Sequence, residues 1–82
     1  MTVNSDKAKK KVTKVIDRKR KELGWSVNFT GSQINLDSGN SSRLLSGNHI
    51  HRFSVTKLLD YAGAIGCKVE VIVDGEVIVK IN

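Results

Sequence analysis

Several features that define common classes of protein are scarce or absent in this chain. Cysteine occurs once, as Cys67, which excludes a disulfide within the chain and a zinc site built from several cysteines. No run approaches the roughly 18 apolar residues that a membrane-spanning helix needs, and the first residues lack the apolar core of a secretion signal. We therefore expect a cytoplasmic protein with no membrane partner.

Groups that carry chemistry are equally sparse. The four aromatic residues, Trp25, Phe29, Phe53 and Tyr61, are never adjacent, so a surface that stacks single-stranded nucleic acid is poorly supported. The sequence has no paired catalytic carboxylates, no glycine-rich phosphate loop and no Ser/His/Asp set that a small fold would bring together. We expect no enzymatic activity and no cofactor.

Positive charge is abundant and unevenly distributed. The formal net charge is +6 and the pI is near 9.8, and residues 1–23 contain nine lysines and arginines against three acidic residues. Such a balance favours a polyanionic partner, more often nucleic acid than a membrane surface. The alternative is a solvated helix face that only keeps the protein soluble. The predicted phosphate contacts in this segment are Lys7, Lys10 and Lys14.

The chain length and its hydrophobic periodicity predict a single small domain, 1–82, of marginal stability that a dimer would improve. Ser26, Asp37 and Ser54 are residue types that cap helix starts. Near residue 68 the apolar period changes from that of a helix to two, which is typical of strands. The predicted elements are a basic first helix at 6–23, a helix-turn-helix at 26–47, a fourth helix at 54–65 and a β-hairpin at 68–81.

Two registers are open to the hairpin. A two-residue loop, Asp74-Gly75, would pair Val71 with Ile78 and mix polar and apolar residues on both faces. A three-residue loop that starts one residue earlier would pair Val71 with Val77 and leave one apolar face, so we prefer it. A lone hairpin is marginal in water and should pack on the helices or extend across a dimer. The predicted dimer or partner contacts are Tyr61, Ile72 and Ile78.

The segment after Asp37 is unusual for a packed helix. Its only large apolar residues are Leu44 and Leu45, and Gly47 follows where a helix would end. One wide side therefore carries short hydrogen-bonding groups, a glycine and an arginine, and such a side is suited to a DNA major groove. The alternative is that this polar run is a flexible loop. The predicted DNA base contacts are Ser38, Gly39, Asn40, Ser42 and Arg43.

The two histidines lie close together in sequence. His49 and His51 would share one side of an extended segment and could then ligate a metal. Other ligand types are lacking nearby, so we predict no metal site and interpret both as loop residues, with His51 near a phosphate.

Several short motifs occur in order between residues 23 and 73. A Leu-Leu-x-Gly helix ending at residues 44–47 is followed by Arg52-Phe53-Ser54, by a small-residue helix ending in Gly66, and by a valine-rich strand. In these motifs the chain resembles the lambda repressor-like (XRE) helix-turn-helix family, in particular the compact subgroup that includes HigA-type antitoxins.

This resemblance implies a mainly α fold with a small β element, a four-helix lambda repressor-like domain followed by a C-terminal β-hairpin. The chain departs from the family at Ser41, where Val or Ile is usual. Beside the motif, the further predicted phosphate contacts are Ser26, Asn28, His51 and Arg52.

Two functions are consistent with the sequence. The first is a homodimeric transcriptional regulator, a repressor or autoregulator, that binds a pseudo-palindromic site in double-stranded DNA. The alternative is an antitoxin or adaptor that sequesters a toxin or other small protein and has a weak or vestigial DNA-binding motif. Both are compatible in antitoxins that repress their own operon.

Overall fold

A computed structural model describes residues 5–47 and 49–81, and for Ser5 and residues 78–81 it describes the backbone only. The described chain contains four helices and a two-stranded antiparallel hairpin, so the predicted fold class is confirmed. In chain order the elements are α1 (Ser5–Glu22), α2 (Val27–Gln33), α3 (Ser38–Ser46), a 3-10 turn (Ile50–Arg52), α4 (Val55–Ala64), β1 (Val69–Val73) and β2 (Glu76–Ile81).

Each helix after α1 begins at a side chain that satisfies a free backbone N–H. The cap residues are Ser26, Asp37 and Ser54, as predicted from the sequence. Ser and Asp side chains accept hydrogen bonds from the free N–H groups at a helix start. A glycine with a left-handed backbone, Gly47 at φ 74°, ends α3. The capping bonds run from Phe29 N–H to Ser26 Oγ at 3.0 Å, from Asn40 N–H to Asp37 Oδ1 at 2.7 Å and from Lys57 N–H to Ser54 Oγ at 3.1 Å.

The core joins three of the helices. Ile16 of α1, Leu44 of α3 and Leu58 of α4 are 0–1% exposed and belong to one cluster. Burying each such side chain contributes about 2 kcal/mol. Because each comes from a different helix, this cluster fixes the position of α3 relative to α1 and α4. The other buried apolar residues of the cluster are Ile34, Phe53, Ala62, Ile65 and Val69.

The hairpin loop differs from the preferred prediction. Val73 pairs directly with Glu76, so the loop has two residues and not three. Asp74 and Gly75 have φ angles of 51° and 77°, and a tight turn with two left-handed residues matches the twist of the flanking strands. The favourable twist of this turn outweighs the cleaner apolar face that a longer loop would have given.

A bulge in β2 corrects the register after this turn. Ile72 pairs with Val77, but the next pair is Val71 with Val79, so Ile78 has no partner across the hairpin. The Val71–Ile78 pairing expected for a two-residue loop is therefore also wrong. One extra residue on β2 interrupts the regular ladder of backbone hydrogen bonds between the strands.

Candidate nucleic-acid interface

Helices α2 and α3 meet at a corner that only small residues permit. Gly31 and Ser41 are both buried, and a Cβ placed on Gly31 would overlap the Ser41 hydroxyl and lie 2.6 Å from the Ser41 Cβ. Ser41 itself is 0% exposed and donates a hydrogen bond to the Asp37 carbonyl at 2.7 Å. This contact explains why a serine stands at an inward position where a larger residue is expected.

The polar run after Asp37 is a regular helix, and the flexible-loop alternative is wrong. Ser41 and Leu44 anchor its inner side. On the side that points away from the core, Ser38, Gly39 and Ser42 are exposed, and Asn40 and Arg43 are half-buried. The structure therefore places all five predicted base-contact residues outside the core side of α3.

Three polar side chains are linked along the outer side of α3. The Asp37 carboxylate accepts a bond from Asn40 Nδ2 at 3.3 Å, and Asn40 Oδ1 accepts one from Arg43 Nη1 at 3.3 Å. A Cβ on Gly39 would lie 3.5 Å from Arg43 Nη1, so the guanidinium is folded back over this glycine. Arg43 thus presents its charge beside the first turns of α3, the part of a recognition helix that contacts base edges.

A polar groove of about 420 Å³ opens beside the first turn of α3. Two exposed cations, Arg52 and Lys57, line it, and among the described residues no acidic one does. Lys57 is not singled out by the sequence, because its place in this groove depends on how α4 is oriented relative to α3. The available signal is its position three residues after the Ser54 cap. The remaining lining residues are Leu36, Asn40, Phe53 and Tyr61.

A second groove, of about 210 Å³, lies at the other end of α3, against α1. Lys10 and Lys14 line it together with Ser46 and Gly47. Asp17 also lines this groove, but its carboxylate is already paired with Arg20 at 2.8 Å and with Lys21 at 3.1 Å. Cations therefore stand beside both ends of α3.

The remaining predicted phosphate contacts are dispersed. Lys7 is exposed on α1 but lines neither groove. Ser26 and Asn28 are exposed at the start of α2, where the Ser26 hydroxyl oxygen already caps the helix. His51 is exposed within the 3-10 turn, next to Arg52.

The two histidines do not lie in an extended segment. Ile50–Arg52 forms a 3-10 turn, and the rings of His49 and His51 are 6.2 Å apart and tilted. Within residues 5–47 and 49–81, no group of three His, Cys, Asp or Glu side chains could hold a metal ion.

The residues predicted to contact a partner have different surroundings. Tyr61 is half-buried, with its ring 6.2 Å from that of Phe53. Ile72 is 58% exposed, as are its neighbours on the hairpin, Val73 at 57% and Val77 at 49%. The side chain of Ile78 lies outside the described residues.

The single cysteine packs against the core cluster. Burial raises the pKa of the Cys67 thiol above its ordinary value of 9.0, although Lys19 and Arg18 lower it in part. The thiol is therefore protonated at neutral pH and is a weak nucleophile.

Two short helices that meet at a tight corner, with a polar outer side on the second, define a helix-turn-helix protein. The sequence profile of a helix-turn-helix domain family matches residues 3–74, and the chain belongs to this family. A domain of this kind indicates a DNA-binding regulator. No curated protein and no solved structure shows significant similarity to the chain. No helix in the described part of the chain is both long and apolar enough to cross a bilayer.

Proposed function

We propose that the protein is a sequence-specific regulator of transcription that binds double-stranded DNA by placing α3 in the major groove. The observation that carries this proposal is the asymmetry of α3. Ser41 and Leu44 hold its inner side in the core, while on its polar outer side Ser38, Gly39 and Ser42 are exposed and Asn40 and Arg43 are half-buried. A major groove about 12 Å wide accepts such a helix and offers donors and acceptors to short polar groups.

In this proposal the outer side of α3 faces nucleobases. Gly39 lets the backbone approach the bases, and Ser42 can donate to or accept from a base edge. Arg43 supplies the donor pair that suits guanine. The residues proposed to face bases are Ser38, Gly39, Asn40, Ser42 and Arg43.

The two grooves beside α3 are proposed to hold the DNA backbone. Arg52 and Lys57 would bind phosphates next to the start of α3, and Lys10 and Lys14 would bind them next to its end. Contacts of this type supply affinity and fix the orientation of the protein without carrying sequence information. Further proposed phosphate contacts, outside the two grooves, are Lys7, Ser26, Asn28 and His51.

We further propose that residues 1–82 act as one domain and that two copies form a homodimer. A single core supports one domain, because Ile16, Leu44 and Leu58 pack together. Exposed apolar side chains on the hairpin support a dimer contact, for which Tyr61, Ile72 and Ile78 remain the proposed residues. Two-fold symmetry would then require a pseudo-palindromic site with half-sites about 34 Å apart, or a multiple of that distance, as expected of a cytoplasmic repressor of its own operon.

Selection of bound fragments from random duplex DNA, at two salt concentrations, tests the proposal. We expect a defined motif with inverted symmetry at both concentrations, since base contacts specify the site while phosphate contacts set the salt dependence. Enrichment without a motif would refute sequence-specific binding. A motif without inverted symmetry would refute the dimer alone.

A further inference from the structure

Asn40 and Arg43 differ in how much of their hydrogen-bonding capacity is already used. Asn40 is bonded on both sides of its amide, through Nδ2 to the Asp37 carboxylate and through Oδ1 to Arg43. Its backbone N–H is bonded to Asp37 as well. Arg43 uses one N–H of its guanidinium in this chain of bonds, and a guanidinium has five.

This difference decides which side chain suits a base. Asparagine recognises adenine by turning its amide oxygen and nitrogen to the same base edge. The Asn40 oxygen and nitrogen instead bond to residues on opposite sides of it along α3. Each atom can make one more bond, but these two bonds fix the orientation of the amide, and turning it toward adenine would disturb both. Arg43 can donate to the O6 and N7 atoms of guanine while it keeps its bond to Asn40.

The position of Arg43 depends on this support. An arginine side chain has many rotamers, and ordering one on binding costs about 0.5–1.5 kcal/mol. The bond to Asn40 holds the guanidinium over Gly39. Asn40 is in turn bonded to Asp37, whose carboxylate is held in place because it caps the start of α3. The hydrogen bonds that link Asp37, Asn40 and Arg43 therefore orient the Arg43 side chain before DNA binds.

We propose that Asn40 is a positioning residue that holds Arg43 for recognition of a G·C base pair, and that Asn40 contributes to base discrimination only through Arg43. This inference rests on the proposed function, because it assumes that α3 lies in the major groove. It predicts that the preferred DNA site contains guanine opposite Arg43.

A double-mutant cycle tests the inference. Wild type, Asn40→Ala, Arg43→Ala and the double variant are titrated with the selected DNA site and with every single base-pair substitution of it. We expect Arg43→Ala to reduce discrimination at one G·C pair about tenfold or more. Asn40→Ala should reduce discrimination several-fold at that same pair, and the double variant should match Arg43→Ala.

The variants keep the helix start intact, because the capping bond uses the backbone N–H of Asn40 and not its side chain. Thermal unfolding monitored by circular dichroism verifies this. Asn40→Asp keeps an oxygen acceptor for Arg43 but loses the amide donor to Asp37. It should therefore restore the preference for the same base pair only in part, and the added negative charge should weaken binding to every sequence.

The outcomes separate the two proposals. If Asn40→Ala relaxes a different base pair and the two effects add, Asn40 contacts its own base and the inference is overturned while the proposed function stands. The inference is also overturned if only Arg43→Ala changes discrimination. If neither variant changes discrimination at any base pair, Arg43 contacts no base and the inference is overturned, and the base contacts proposed for Asn40 and Arg43 fail with it.

Discussion

Gly31 of α2 lies so close to Ser41 of α3 that a Cβ at Gly31 would overlap the serine side chain. The contact brings α2 against the buried side of α3, while the α3 residues on the other side are exposed or half-buried. It also involves no long side chain that could bend away, since the nearest atoms are the Ser41 Oγ and Cβ. The angle of the helix-turn-helix corner therefore depends on two very small residues.

Gly31→Ala should destabilise the protein by about 1–3 kcal/mol, because the added methyl group overpacks a buried contact. Chemical denaturation measures the loss, and DNA binding should weaken with it as α3 shifts. The matched control for stability is Gly39→Ala on the exposed side of α3, where a Cβ meets its nearest atoms at 3.5 and 3.6 Å.

At Gly39 the substitution should be neutral or stabilising by up to about 1 kcal/mol, since alanine favours helix more than glycine does. If both substitutions had equal effects, the close contact at the corner would not be what limits Gly31. Replacing Ser41 by Ala in the Gly31→Ala background removes the overlapping hydroxyl and should recover part of the lost stability.

Asp37→Ala and Ser54→Ala should each cost about 1 kcal/mol, because each removes a helix cap. Their effects on DNA should differ. Only Asp37 also holds Asn40, at 3.3 Å, so Asp37→Ala should reduce base discrimination whereas Ser54→Ala should leave it unchanged. The measurements are chemical denaturation and competition between the selected site and its variants. Equal loss of discrimination in both variants would contradict a role for Asp37 beyond capping.

Lys14→Ala and Lys57→Ala should weaken binding to all DNA sequences about equally and should reduce the slope of log affinity against log salt by about one each. These lysines line the grooves at the two ends of α3. Lys21→Ala is the control, because Lys21 is paired with Asp17 and lines neither groove. Salt titration of binding measures the slopes, and an equal change in the control would show that general charge, and not the grooves, governs affinity.

Cys67 should react with a thiol reagent much more slowly in the folded protein than in denaturant, because burial raises its pKa and limits access. A thiol whose pKa is raised by folding favours the folded state while it is protonated. Its contribution is present below the ordinary pKa of 9.0 and is lost as the pH rises above that value. Comparison with Cys67→Ser, which lacks this titration, isolates the effect: stability of the wild type should fall more steeply above that pH.

The helix starts could be predicted from sequence because their causes are local. Ser26, Asp37 and Ser54 each bond a backbone N–H three residues ahead, so a short window contains the whole interaction. The burial of Thr13 is harder to predict from sequence, because a polar residue does not contribute to the apolar periodicity of α1. Its hydroxyl can be buried because it donates a hydrogen bond to the Lys10 carbonyl within the same helix.

The structural features that could not be predicted from the sequence depend on residues far apart in the chain or on side-chain rotamers. The bulge at Ile78 reflects competition between turn twist and strand register, which residue type alone does not decide. The place of Lys57 in its groove depends on the orientation of α4 relative to α3. The chain from Asp37 through Asn40 to Arg43 lies on a side of α3 that composition identifies as polar, but its bonds require particular side-chain conformations.

The irregular pairing of β2 bears on how the protein behaves at high concentration. The strands of a hairpin with exposed valine and isoleucine can pair with strands of other molecules, and repeated pairing of this kind would produce fibres. The unpaired Ile78 interrupts the regular spacing of backbone donors and acceptors and increases the local twist. Fibre formation through that edge is thereby discouraged, while the apolar side chains of the hairpin stay available for a finite assembly.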